Sequence, residues 1–92
     1  MAATNHTDNA DTFYAVGTTG RMYSKGDMRI PDTLVFDVTR FGDTWDLSVA
    51  RMAIENGINV GTVIAYESDH PTESHAMAAA EKYELAHATT AR

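Results

Sequence analysis

The stretch TLVFDVTRFGDTWDLSVARMAIENGINVGTVIAYES, residues 33–68, decides the fold, because apolar and polar residues alternate along it and two turn signals divide it. Gly42-Asp43 suits a two-residue type II′ turn, in which glycine takes the positive φ angle of the first position. Asn56-Gly57 suits a type I′ turn, in which both central residues have positive φ. The stretch therefore predicts a three-stranded antiparallel meander.

The two turns also predict the register of the strands. The first turn sets three facing pairs on one side of the sheet: Arg40 with Trp45, Val38 with Leu47, and Phe36 with Val49. The second turn sets three more: Ala53 with Val60, Val49 with Ile64, and Leu47 with Tyr66. Because both sets place the same apolar residues on one face, they agree on one register, and a slip of one residue would reverse every side chain.

A helix is the alternative for part of this stretch. Residues 46–57, DLSVARMAIENG, fit a helix with Asp46 as its N-cap and Gly57 at its C-terminal end. The meander is preferred because it accounts for both turns at once.

The chain before this stretch predicts a tail and a hairpin. Residues 1–11 are expected to be a frayed tail, and residues 12–92 a single α+β domain. Residues 12–24 hold two aromatic-rich pieces around Gly17-Thr18-Thr19-Gly20, which is typical of a hairpin. Whether this hairpin covers a face of the sheet is left open by the sequence.

A helix is predicted over residues 71–90, with His70 as its N-cap and Pro71 at its first helical position. Residues at helical spacing form a stripe of mostly small side chains: Ala76, Ala79, Ala80, Tyr83, Ala86 and His87. The small side chains allow the helix to lie close to a sheet. We therefore expect an antiparallel sheet, made of the N-terminal hairpin and the meander, with a C-terminal helix on one face.

The other face of the predicted sheet carries carboxylates. Asp46 and Glu67 are expected as direct cross-strand neighbours. Asp37 is expected on the same face of the neighbouring strand, two residues away from their row. Like charges in such positions destabilise a sheet, so a surface that docks on a basic partner would explain them. An ordinary solvated sheet face, on which acidic residues are common, explains them as well.

Further candidate contacts adjoin this acidic row. Asp43, Trp45 and Arg40 lie at the first turn, and tryptophan and arginine dominate binding energies at interfaces. Trp45 beside Arg40 also fits a cation–π pair within the sheet. Next to the acids, an apolar patch is a possible surface for oligomerisation, formed by Val35, Ala50, Met52 and Val63.

Composition narrows the classes of function. The 92 residues carry a formal net charge of −6, with 13 acidic and 7 basic residues and no cysteine. Such a charge argues against direct binding to nucleic acid or to anionic membranes. The lack of cysteine and of a signal peptide leads us to expect a cytoplasmic location. We expect no cofactor, no metal site and no enzymatic activity, since the histidines and serines lack the spacing of such sites.

Two resemblances extend this picture. The meander followed by GTVIAYESDHPTESHAMAAAEKYELA, residues 61–86, resembles the three-strand-plus-helix plan of AP2-type and integrase arm-type DNA-binding modules. Those modules read DNA with basic residues and tryptophan on the open sheet face, where this chain has acids, so DNA binding is not implied. In size, charge and plan, and in the pattern HPTExxAxxAA at residues 70–80, the chain resembles small acidic phage-encoded inhibitors of the anti-CRISPR type.

The sequence thus leads to a non-enzymatic acidic inhibitor as the expected function. Its partner would be a basic surface of a nucleic-acid-handling protein complex, in the cytoplasm of a host cell if the chain is encoded by a phage, and its binding would block nucleic acid. The resemblance to phage inhibitors implies the same kind of partner. The alternative is a homo-oligomeric structural or regulatory module that associates through the open sheet face.

Overall fold

The computed structural model describes residues 12–90, and the side chains of residues 12–88. The strands are β1 (Tyr14–Ala15), β2 (Met22–Lys25), β3 (Leu34–Phe41), β4 (Thr44–Glu55) and β5 (Ile58–His70), and they are followed by the helix α1 (Glu73–Thr90). The strands form one antiparallel sheet in chain order. This architecture confirms the predicted α+β fold, while the predicted tail at residues 1–11 lies outside the described residues.

Both predicted turns are present. Gly42 has a φ of +63°, as the first position of a type II′ turn requires. Asn56 and Gly57 have φ values of +55° and +78°, as a type I′ turn requires. The segment between the two turns is strand β4, so the helix considered for residues 46–57 does not form.

The register between β3 and β4 is the predicted one. Phe36 faces Val49, and Val38 faces Leu47. The predicted N-terminal hairpin is also present, because Ala15 of β1 pairs with Tyr23 of β2. Strand β2 in turn pairs with β3, so the hairpin widens the sheet and does not cover its face.

The core lies between the sheet and α1. Its largest members are fully buried side chains of β3 and β4: Phe36, Val38, Leu47 and Val49. On the helix side, Ala76 and Ala80 of the predicted stripe are 0% and 1% exposed. Burial of each large apolar side chain stabilises the fold by about 1.5–3 kcal/mol, so this contact fixes the face on which the helix lies.

The start of the helix differs from the prediction. His70 is the last residue of β5, where it pairs with Trp45, so its prediction as the N-cap is wrong. Thr72 takes that role, because its hydroxyl accepts a hydrogen bond of 3.1 Å from the backbone N–H of His75. Across residues 12–90, no helix is long and apolar enough to cross a membrane.

The register between β4 and β5 holds only for the half nearer the second turn. Ala53 faces Val60 as predicted, but Val49 faces Ala65 and Leu47 faces Glu67. A β-bulge next to Val49 explains the change, because Ile64 is an additional residue in β5. Ala65, Tyr66 and Glu67 therefore lie on the side opposite to the predicted one.

A second irregularity lies near the end of β5. Trp45 faces His70 while Leu47 faces Glu67, so Ser68 and Asp69 together oppose the single residue Asp46. Asp69 has a φ of +66°, a conformation that aspartate tolerates better than most residues. This bend brings the backbone of Asp69 towards the carboxylate of Asp46.

Candidate functional site on the open sheet face

The face of the sheet opposite α1, named the open face below, carries Asp46 as predicted but not Glu67. Glu67 faces Leu47 and lies on the helix side, so the prediction that it neighbours Asp46 is wrong. Tyr66, predicted for the core, takes its place on the open face, where it pairs with Ser48 and is 58% exposed. The bulge at Ile64 causes both changes.

Asp46, Tyr66 and Asp69 form what we name the acidic cluster. The hydroxyl of Tyr66 donates a hydrogen bond to a carboxylate oxygen of Asp46. The other oxygen accepts a bond of 3.3 Å from the backbone N–H of Asp69. The bond to Asp46 raises the pKa of Tyr66 above its usual value, and the charges of Asp46 and Asp69 act in the same direction. Both carboxylates therefore lie close to the exposed ring of Tyr66.

Asp37 lies on the same face, one strand further from the edge. It pairs with Ser48 in β4 and with Ser24 in β2. Ser24 is a buried residue, 6% exposed, and its hydroxyl donates a hydrogen bond of 2.5 Å to Oδ1 of Asp37. Asp37 is thus held rigidly in the sheet and extends the acidic surface beyond the acidic cluster.

The described part of the chain offers these aspartates no positively charged partner. Among residues 12–88, no lysine or arginine nitrogen lies within ion-pair distance of Asp37, Asp46 or Asp69. Four of the chain's seven lysines and arginines instead pair with other acids: Lys25 with Glu84, Arg29 with Asp27, Arg51 with Asp32, and Lys82 with Glu67. The open face therefore presents negative charge that the rest of the described chain does not neutralise.

None of the contacts predicted at the first turn lies on the open face. Asp43 is exposed in the turn itself. Trp45 and Arg40 face each other on the helix side of the sheet, the same side as the core pair Val38 and Leu47, as predicted. There the ring of Trp45 lies against Tyr23, with 6.0 Å between centroids, and Nε of Arg40 donates to the carbonyl of Gly42 at 2.8 Å. Trp45 is thus part of the helix-side packing, not an anchor on the open face.

Part of the predicted apolar patch is buried within the fold. Val35 and Met52 are each 6% exposed, whereas Val63 is 60% exposed. The backbone at Gly26 lies against Val35, and Gly61 lies against the sulfur of Met52, in both cases too close for an added Cβ to fit freely. A surface that joins two copies through Val35 and Met52 is therefore not available.

Glu67 is the centre of a second polar cluster, on the helix side, which the sequence did not predict. Its carboxylate bonds Nζ of Lys82 at 2.7 Å, the hydroxyl of Tyr83, and Nε2 of His70 at 3.0 Å. Nδ1 of His70 lies 2.8 Å from Nδ1 of His75. Five side chains from the end of β5 and from α1 are joined in this way, and we name them the Glu67 network.

The Glu67 network strongly favours the ionised carboxylate. The bond from Lys82, followed by the bond from Tyr83, lowers the pKa of Glu67 to about 2. Glu67 in turn raises the pKa of Lys82 and that of Tyr83 above their usual values. The charge of Glu67 is thus compensated by Lys82 within the fold, whereas the sequence predicts an uncompensated charge on the open face.

The third histidine of the described residues lies apart. His87 bonds the carbonyl of Asp32 through Nε2 at 2.9 Å, which ties the end of α1 to the loop before β3. Within residues 12–88, no group of three or more histidine and acidic side chains is placed to hold a metal ion.

Comparison of the chain with protein-family models, with curated proteins and with solved structures gives no match. Inferences about function therefore depend on the geometry of the open face and of the Glu67 network.

Proposed function

We propose that this chain is a non-enzymatic binding protein, which docks through its open face on a basic surface of a protein that handles nucleic acid. The observation that carries the proposal is the acidic cluster: the carboxylates of Asp46 and Asp69 lie near the exposed ring of Tyr66, and neither has a lysine or arginine partner among residues 12–88. Opposite charge steers association and selects partners. An exposed tyrosine among such charges is a common interface anchor.

The kind of partner follows from the charge. A surface that binds phosphates with lysine and arginine would be attracted to the same carboxylates. Occupation of that surface would exclude nucleic acid, so the proposed consequence of binding is inhibition, in the cytoplasm where such complexes work. The resemblance to small acidic phage inhibitors supports the same proposal.

The proposed contact surface consists of the acidic cluster and Asp37. It does not include two residues that the sequence predicts as contacts. Glu67 is neutralised by Lys82, and Trp45 lies on the helix side. Neither side chain is expected to touch the partner.

A charge-reversal pair with a matched control tests the proposal. Asp46→Lys with Asp69→Lys raises the formal net charge from −6 to −2, and Glu55→Lys with Glu81→Lys, at two exposed positions, gives the same change. Each protein is immobilised and used to capture proteins from a cell lysate at low salt. We expect the wild type and the control to retain a set of nucleic-acid-binding proteins that added DNA displaces, and the reversed cluster to lose it.

Other outcomes of the same experiment would contradict the proposed docking surface. If the reversed cluster captures the same proteins as the wild type, the open face is not the docking surface. If both reversed proteins lose binding equally, only the overall charge matters. Circular dichroism of both variants checks that the fold is intact, and binding that does not weaken as salt increases would contradict an electrostatic contact.

A further inference from the structure

The two histidine rings of the Glu67 network meet through atoms that are metal ligands in many proteins. Nδ1 of His70 and Nδ1 of His75 lie 2.8 Å apart, with the ring centroids 5.0 Å apart and the planes tilted by 44°. We infer that His70 and His75 form a binding site for one divalent transition-metal cation, of the copper and nickel class. This inference is independent of the proposed docking of the open face.

The orientation of His70 is fixed from behind. Its Nε2 bonds a carboxylate oxygen of Glu67 at 3.0 Å. Because that oxygen is an acceptor, Nε2 carries the hydrogen in the neutral ring, and the free lone pair is on Nδ1. Metal-ligating histidines very often donate their other ring N–H to a carboxylate in this way, which fixes the tautomer and makes the ligand more basic.

The support behind His70 is rigid. Glu67 is itself held by Lys82 and Tyr83 of α1, and the side chain of His70 is only 11% exposed. The ring therefore cannot turn away without breaking the bond to Glu67. A ligand held in place before the ion arrives binds with less loss of conformational entropy.

His75 supplies the second nitrogen from a different element. In the neutral rings its Nδ1–H donates to Nδ1 of His70, and a cation takes the place of this hydrogen when His75 carries its hydrogen on Nε2 instead. His75 lies in the first turn of α1, where its backbone N–H is bonded to the Thr72 hydroxyl at 3.1 Å. Its side chain is exposed, so water can fill the remaining coordination positions. An ion at this site would connect the end of β5 to the start of the helix.

The ligand type favours some cations over others. The 2.8 Å between the two nitrogens is the length of a hydrogen bond, and two nitrogens bound to one cation at a right angle lie about 2.9 Å apart, so the rings are close enough for one cation to reach both. Imidazole nitrogens suit Cu²⁺ and Ni²⁺. Mg²⁺ and Ca²⁺ require oxygen ligands and are not expected to bind.

Nuclear magnetic resonance of the wild-type chain gives the first test. Cu²⁺ added below one equivalent is paramagnetic and broadens the imidazole signals nearest to it. We expect the signals of His70 and His75 to broaden first, and those of His87 and His6 to persist. Equal broadening of all four rings, or earlier loss of the His6 signals, would overturn the inference.

Calorimetric titration with Ni²⁺ gives the second test. We expect the wild type to bind one ion, His75→Ala to bind at least about tenfold more weakly, and His87→Ala, the matched control, to be unchanged. Glu67→Gln is expected to weaken binding by about 10–100-fold, as loss of a carboxylate behind a histidine ligand does. A background with His6→Ala removes the histidine outside the described residues. Unchanged affinity in His75→Ala, or no binding by the wild type, would refute the site.

Discussion

Replacement of Glu67 by glutamine is expected to lower the free energy of unfolding at pH 7 by about 1–2 kcal/mol. The carboxylate binds Lys82, Tyr83 and His70 at the junction of β5 and α1. Glutamine has nearly the same size and retains an acceptor for Tyr83, but it lacks the charge. The variant therefore measures the electrostatic part of the Glu67 network and leaves its packing in place.

The magnitude follows from the pKa of Glu67. It falls from 4.5 to about 2, a shift of roughly 2.5 units, and about 1.36 kcal/mol per unit gives an upper limit near 3 kcal/mol. The side chain of Lys82 is 62% exposed, so water and salt screen the pair and reduce this value. The expected loss is a substantial part of the roughly 5–14 kcal/mol of total stability usual for a domain of this length.

The dependence on pH has a definite direction. Because the pKa of Glu67 is lower in the folded state than in the unfolded state, its contribution is fully present above about pH 4.5. The contribution is lost as the pH falls from about 4.5 through about 2, because the unfolded state binds the proton first and the folded state follows only near pH 2. The difference between the wild type and Glu67→Gln should therefore shrink over this range and vanish only below it.

Urea unfolding at a series of pH values is the assay, in the presence of a chelator. Trp45 is the chain's only tryptophan and packs against the core, so its fluorescence reports the transition. Glu81→Gln, at an exposed position of the same helix, is the control and should follow the wild type at every pH. A difference that stays constant down to pH 2, or none at pH 7, would refute the role of the Glu67 charge.

Two further predictions concern the backbone. Gly26→Ala should destabilise the fold by about 3 kcal/mol or more, because φ is +114° and the new Cβ would lie 2.6 Å from the carbonyl oxygen of Leu34. Gly42→Ala should cost only about 1–2 kcal/mol, because no atom lies within 4 Å of the new Cβ. Equal losses of stability in thermal unfolding of the two variants would contradict the steric argument. Thr72→Ala should cost about 1 kcal/mol through loss of the cap on His75, whereas Thr72→Ser should restore it in the same measurement.

The meander was predictable because its signals are local. Gly42-Asp43 and Asn56-Gly57 each fix a turn within two residues, and a tight turn fixes the register of the strands that it joins. The pairing of β3 with β4 follows from the first turn along its whole length. The second turn fixes β5 only as far as Val63, which faces Ala50.

The bulge was not predictable, because the additional residue carries none of the sequence signals of a bulge. Ile64 is an apolar residue in an apolar, alternating run, and it is neither glycine nor a residue with positive φ. The bulge is visible only in the pairing of β5 with β4, which depends on contacts made along the whole sheet. The acidic cluster and the Glu67 network were missed for the same reason, since both depend on the sides of Tyr66 and Glu67.

The extra residue also resolves a conflict in the unbulged register. That register would have placed Glu67 beside Asp46 on the open face, where two like charges repel, and Tyr66 in the core. With Ile64 added, the Tyr66 hydroxyl donates to Asp46, and Glu67 reaches Lys82 on the helix side. One additional residue thus replaces a repulsion by two favourable contacts. The open face keeps its negative charge in Asp46 and Asp69, while Glu67 becomes part of the structure that joins the helix to the sheet.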